Sequence, residues 1–160
     1  MDNELTAQLT AFNQIYKEID DAYHGYAKLH ELSDTAFWVL YSLARLKPGS
    51  VYTQRELCAD WSYSPQTVNS ALKQLEKQGL IRLSLAPGSR KHKQLLLTER
   101  GAAYTKEHIE PLMEAERNAF AGLCPQERCE LLSALRKHSE LLKSRINEIL
   151  NTSSEDWSPQ

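Results

Sequence analysis

Ser64-Pro65-Gln66-Thr67-Val68-Asn69-Ser70-Ala71-Leu72-Lys73-Gln74-Leu75-Glu76-Lys77-Gln78-Gly79-Leu80 reads as a single helix with both ends marked. Ser64 offers an acceptor to the free N–H groups of the first turn, and Pro65 takes the first helical position, where a missing N–H costs nothing. Tyr63 before the cap and Val68 after it form a hydrophobic staple. Gly79 supplies the left-handed residue that ends the helix. Val68, Ala71, Leu72 and Leu75 fall on one stripe, leaving Gln66, Thr67, Asn69, Ser70 and Lys73 on the other face. That face has no carboxylate before Glu76, and its short donors and acceptors suit the edges of bases. Taken alone, the segment fits an ordinary amphipathic helix with a polar back equally well.

The neighbouring residues decide between the two. Thr53-Gln54-Arg55-Glu56 is a capping box, with Tyr52 and Leu57 as a second staple. A short helix therefore runs from Thr53 to about Trp61. Only Ser62 and Tyr63 then precede the Ser64 cap, which is helix-turn-helix spacing. After Gly79 the period changes: Leu80-Ile81-Arg82-Leu83-Ser84-Leu85 alternates and Pro87-Gly88 breaks it. Ser89-Arg90-Lys91-His92-Lys93 is cationic, and Gln94-Leu95-Leu96-Leu97-Thr98 returns as a strand. Two helices and a hairpin with a basic tip make a winged helix-turn-helix. Its second helix would enter a major groove, and its tip would reach phosphates or the adjacent minor groove.

Composition agrees with this reading. At 160 residues, 41% hydrophobic and 25% charged, the chain can bury a sizeable core. The net charge of −2 hides an asymmetry: Arg45 to Arg100 holds ten cations against four carboxylates, so this middle carries +6 and the rest −8. A basic middle between acidic ends suits a polyanion partner for the middle. Cys58, Cys124 and Cys129 are odd in number and lack C-x-x-C spacing, which indicates a reducing compartment. With no signal peptide and no apolar run of spanning length, a cytoplasmic protein without membrane association is expected. The polar residues 151–160 read as a flexible tail.

The chain ends carry a different pattern. Leu5, Leu9, Phe12, Tyr16, Ile19, Tyr23 and Tyr26 recur at alternating intervals of four and three, the seam of a helix that packs on other helices. Ser33 caps a second helix through Phe37, Leu40, Tyr41 and Ala44, which Lys47-Pro48-Gly49 stops. Thr98 can cap a long helix from Glu99 to about Gly122, with Pro111 inside it to kink or break it. Pro125 starts a closing helix whose stripe is Leu131, Leu132, Leu135, His138, Leu142, Ile146 and Ile149, with Cys124 at the capping position. More apolar seam is present than one small winged module can cover, so a homodimer is expected. The expected organisation is residues 1–32 and 99–150 as dimerisation helices around a DNA-binding region at 33–98. The fold class is mainly α with a small β-wing.

This order resembles the MarR family of bacterial transcriptional regulators from about Leu5 to Leu150. The most specific parts are Thr53-Gln54-Arg55-Glu56-Leu57, Ser64-Pro65-Gln66-Thr67-Val68, Leu75-Glu76-Lys77-Gln78-Gly79-Leu80-Ile81 and Leu97-Thr98-Glu99-Arg100-Gly101. The resemblance implies a dimer on a near-palindromic operator, released when a small, often phenolic, molecule binds between the two regions. Two departures stand out. The family's wing motif Asp-Arg-Arg reads Ser89-Arg90-Lys91 here, so the cation survives as Arg90 while the acid is lost. Where the family often has Ser-Arg, this chain has Asn69-Ser70. Asn pairs bidentately with adenine N6 and N7, so a shifted operator sequence is expected.

The expected DNA-binding residues are Ser64, Gln66, Thr67, Asn69 and Ser70 on the reading helix. Lys73, Arg55 and Gln54 are assigned to phosphate, and Arg90, Lys91 and Lys93 to the wing. Tyr26, His30, Phe37, Trp38 and Tyr41 are candidates for a cleft that takes a small aromatic effector, although core packing is the commoner use of such residues. His24, His30, Glu31 and His108 match no metal-ligand spacing, and no metal or cofactor is expected. No G-x-S-x-G, Gly-rich phosphate loop or paired-carboxylate pattern points to an enzyme. The alternatives are a thiol-responsive regulator using Cys58 or Cys124, and a protein-interaction module of the same fold. Arg90→Ala is expected to weaken operator binding and to lower the salt slope by about one counterion; anisotropy titrations across a salt series check this, and unchanged affinity throughout removes the wing assignment.

Overall fold

The protein is described by a computed structural model covering residues 3–47, 49–89 and 93–155. Its elements in order are α1 (Asn3–Leu29), α2 (Asp34–Ala44), α3 (Gln54–Trp61), α4 (Pro65–Lys77), β1 (Ile81–Leu85), β2 (Lys93–Leu97), α5 (Glu99–His108), α6 (Glu110–Ala121) and α7 (Pro125–Glu155). The chain divides into two compact units, Met1–Leu112 and Met113–Gln160.

The caps of the first unit form as their residues dictate. Ser33, Thr53, Ser64 and Thr98 each accept from a first-turn N–H, and Thr53 with Glu56 closes a full capping box. Helix α4 ends in a Schellman motif: Gly79 has φ +71°, Gly79 N–H donates to Glu76 O and Leu80 N–H donates to Leu75 O. Two further helix ends use the left-handed conformation without glycine, at Glu31 after α1 and Ser62 after α3. Each non-glycine residue held there costs about 1 kcal/mol or more.

Strands β1 and β2 pair antiparallel in the register Ile81↔Leu97 to Leu85↔Lys93, with Ile81 and Leu95 buried. Both strands lie within a residue of the expected ends, while the tip residues Arg90, Lys91 and His92 fall outside the described residues. A bridge between Thr53 and Gln94, with Leu95 N–H donating to Tyr52 O at 2.7 Å, joins the wing to the start of α3.

The core of this unit collects Phe37, Val39 and Leu40 of α2, Leu57 of α3, Val68, Leu72 and Leu75 of α4, Leu95 of β2, and Ile109. Pro111 breaks the helix as anticipated: Ile109, fully buried, separates α5 from α6.

In the second unit, α7 begins at Pro125 behind a capping box built on sulfur. Cys124 Sγ accepts from Glu127 N–H at 3.5 Å, and Glu127 Oε2 accepts from Cys124 N–H at 2.7 Å. That backbone donor holds the Glu127 carboxyl below its usual range. Helix α7 continues through Glu155, so residues 151–155 of the expected tail are helical; residues 156–160 lie outside the described residues.

The first turn of α5 fixes the end of α4. Thr98 Oγ1 donates to Gly79 O at 2.6 Å, Thr98 N–H donates to Leu80 O at 3.1 Å, and Thr98 Oγ1 accepts from Gly101 N–H. A Cβ on Gly101 would lie 1.8 Å from Leu80 O, so only glycine permits this approach. Gly101→Ala is therefore expected to destabilise the fold by at least about 2 kcal/mol, read as a lower denaturant midpoint with unchanged m.

Candidate nucleic-acid interface

Helix α4 is held by its buried stripe of Val68, Ala71, Leu72 and Leu75, which leaves Gln66, Thr67, Asn69, Ser70, Lys73 and Gln74 exposed on its outer face. The first carboxylate of that face, Glu76, accepts from Leu83 N–H at 3.3 Å and so ties α4 to the wing. Ser64 has two tasks. Its hydroxyl accepts from Thr67 N–H as the cap and sits 2.7 Å from Thr67 Oγ1, which fixes the Thr67 side chain. Ser70 Oγ donates back to Gln66 O.

Gln66, Thr67, Ser70 and Gln74 share an open groove of about 510 Å³ with Ser33 and Thr35 at the start of α2. Ser33, Thr35 and Gln74, which share this groove, were not among the candidates drawn from the sequence. Gln74 lies four residues beyond Ser70 on the polar face, so helical periodicity could have included it. Ser33 and Thr35 gave only a capping signal, and their place beside α4 comes from tertiary packing.

Gln54, at the first position of α3, turns toward α4. Its Nε2 donates to Asn69 Oδ1 at 2.9 Å and to Pro65 O at 3.4 Å. Arg55, Lys73 and Lys93 are exposed, and among the described residues none of them joins an ion pair. Three exposed cations without carboxylate partners among the described residues raise the potential of this unit.

Between α2 and α3 lies a bonded aromatic layer. Trp61 Nε1 donates to Ser42 Oγ, and Tyr52 OH donates to Asp60 Oδ2, both at 2.8 Å. Burial, with the Asp60 bond, pushes the Tyr52 phenol up to about 12. Trp38 stacks on Trp61 with centroids 4.1 Å apart.

The five effector candidates divide. Phe37 and Tyr41 are buried core, and Trp38 belongs to the stack with Trp61. Tyr26 OH donates to His108 O at 2.8 Å. His30 packs 4.7 Å from the His108 ring, and Tyr104 OH donates to His30 O. Of the five, His30 alone lines a cavity of about 160 Å³, shared with Glu31, Leu32, Gln78, Leu80, Arg100 and Tyr104. His30 Nε2 and Gln78 Oε1 are buried there without a hydrogen-bond partner among the described residues.

His24 pairs with Asp34 at 2.9 Å, away from the His30–His108 pair. Among the described residues no group of three or more His, Cys, Asp or Glu could hold a metal ion. Cys58 is half-buried, whereas Cys124 and Cys129 are exposed. No described helix is long and apolar enough to cross a membrane.

Residues 30–92 match the sequence profile of the MarR family. No curated protein matches the sequence. Among solved structures, the fold is similar to a MarR family regulator from Neisseria meningitidis at 28% identity and a TM-score of 0.71, covering 88% of this chain and 97% of that one. It is also similar to S. aureus MepR in a complex with DNA, at 19% identity and TM-score 0.66 over 83% and 96% of the two chains. Bordetella bronchiseptica BpsR, whose DNA binding is regulated by 6-hydroxynicotinic acid, aligns at 21% identity and TM-score 0.60 over 81% and 91%.

Burial, and next the neighbouring His108, lower the His30 pKa below its ordinary value. The unfolded chain therefore binds this proton more tightly than the folded one, and stability falls as pH drops below about 6.5 toward the folded pKa. Urea titrations at pH 7.5 and 5.5 should show that loss, and His30→Phe should reduce it.

Proposed function

We propose that this chain, whose residues 30–92 match the MarR family model and whose fold is similar to that of a MarR family regulator, is a homodimeric repressor that binds double-stranded DNA at a near-palindromic operator. The observation that carries this reading is the outer face of α4: exposed amides, hydroxyls and Lys73 on a helix clamped by four buried apolar residues. Such a face can present donors and acceptors in a major groove without repelling phosphates. Arg55, Lys73 and Lys93 supply the salt-dependent affinity, and Gln66, Thr67, Asn69 and Ser70 the sequence preference.

Dimerisation is supported by apolar surface on each outer segment. Leu5, Leu9 and Ile19 of α1, and Leu142, Ile146 and Ile149 of α7, are all at least 46% exposed. A second copy covers such stripes most economically and sets two reading helices one DNA turn apart, roughly 34 Å. Release by a small aromatic effector is supported by the cavity at His30, because Gln78 on its wall is also the C-cap residue of α4. A ligand seated there bears on the end of the reading helix.

The test is a salt series with operator duplex selected from a random pool, together with the mass of the protein in solution. A dimer whose log affinity falls linearly with log salt is expected, with Lys73→Ala lowering that slope by about one. A strict monomer indifferent to duplex at low ionic strength overturns the reading, and capture of protein partners alone points to an interaction module.

A further inference from the structure

We propose that Gln54 locks the Asn69 amide with its NH₂ group outward, making Asn69 a reader of keto bases, guanine or thymine, and not of adenine. The inference rests on the DNA-binding reading above and specifies one position of its code.

The two amides fix one another through a third group. A carboxamide can be turned end for end at little steric cost, so its orientation must be decided by its partners. Gln54 Nε2 faces Pro65 O at 3.4 Å and Asn69 Oδ1 at 2.9 Å. The Pro65 carbonyl accepts only. Turning Gln54 over would set its oxygen against that carbonyl, so the nitrogen end belongs there. The same nitrogen then requires an acceptor from Asn69, which is Oδ1. Asn69 is exposed, and the two N–H donors of its Nδ2 remain for a partner outside the protein.

Base chemistry converts that orientation into a preference. Bidentate reading of adenine needs the amide oxygen and nitrogen side by side on one base edge, with the oxygen facing N6. Here the oxygen end is turned to the start of α3. Two outward donors match guanine, with acceptors at N7 and O6, or thymine, with its O4. Adenine N7 can still take one of the two donors, but the other would meet adenine N6 or cytosine N4 donor against donor. The adenine preference expected from the residue type of Asn69 alone is therefore replaced by a keto preference.

The test compares duplexes selected from a random pool by wild type, Asn69→Ala, Gln54→Glu and Gln54→Leu. The position read by Asn69 is the one at which Asn69→Ala loses discrimination. Wild type should prefer guanine or thymine there over adenine or cytosine by roughly tenfold. Gln54→Glu offers acceptors only, so it should draw Asn69 Nδ2 inward and shift the preference toward adenine or cytosine. Gln54→Leu should flatten it. Gln54→Glu gives up the bond to Pro65 O, but as the first residue of α3 a carboxylate suits the helix dipole, so the variant should remain folded, which a melt checks alongside the selection. An adenine or cytosine preference in wild type, no position affected by Asn69→Ala, or a preference unmoved by Gln54→Glu overturns the proposal while DNA binding stands. Failure of wild type to select any duplex overturns the DNA-binding reading itself.

Discussion

The contact between the first turn of α5 and the carbonyl of Leu80 governs the geometry of the helix-turn-helix and its wing. Helix α4 ends at Lys77, β1 begins at Ile81, and two carbonyls of the link between them, Gly79 O and Leu80 O, are taken by Thr98. Gly101 makes room for that arrangement by having no side chain. The end of the reading helix, the first strand of the wing and the start of α5 are thus joined at one point. Because buried backbone groups are satisfied there, the junction cannot slide without losing several hydrogen bonds together.

Much of this was legible because the local signals agreed with the tertiary fold. The caps at Ser33, Thr53, Ser64 and Thr98 lie where a side-chain oxygen precedes an apolar-periodic run, and all four form. The stripe Val68, Ala71, Leu72, Leu75 is the buried face of α4, and Pro111 interrupts its helix. Gly79 marks a left-handed residue. Glu31 and Ser62 adopt the same conformation without any residue type that announces it, so those helix ends could be placed only approximately.

What escaped the sequence was the set of interactions between segments. Gln54 and Asn69 were read separately, one for phosphate and one for adenine, yet their amides bond across α3 and α4. Ser33 and Thr35 reach the edge of the reading face through the packing of α2 on α4. The aromatic candidates illustrate the opposite failure. Tyr26, His30, Phe37, Trp38 and Tyr41 suggested one cleft, but ring contacts link them into continuous packing, and only His30 of the five lines the cavity shared with Gln78 and Tyr104. Periodicity cannot distinguish a ring that fills a core from one that lines a void.

The backbone bond from Leu95 to Tyr52 makes β2 an extension of the segment that opens α3. Glu76 makes a second tie, from α4 to β1. Hairpin and α4 are thus tied to one another, so in the proposed docking the loss of translational and rotational freedom would be incurred once for both. On the proposed reading, seating α4 in a DNA groove would bring the hairpin strands to the neighbouring backbone at a high local concentration. A wing on a loose tether would have to find that backbone by a separate search.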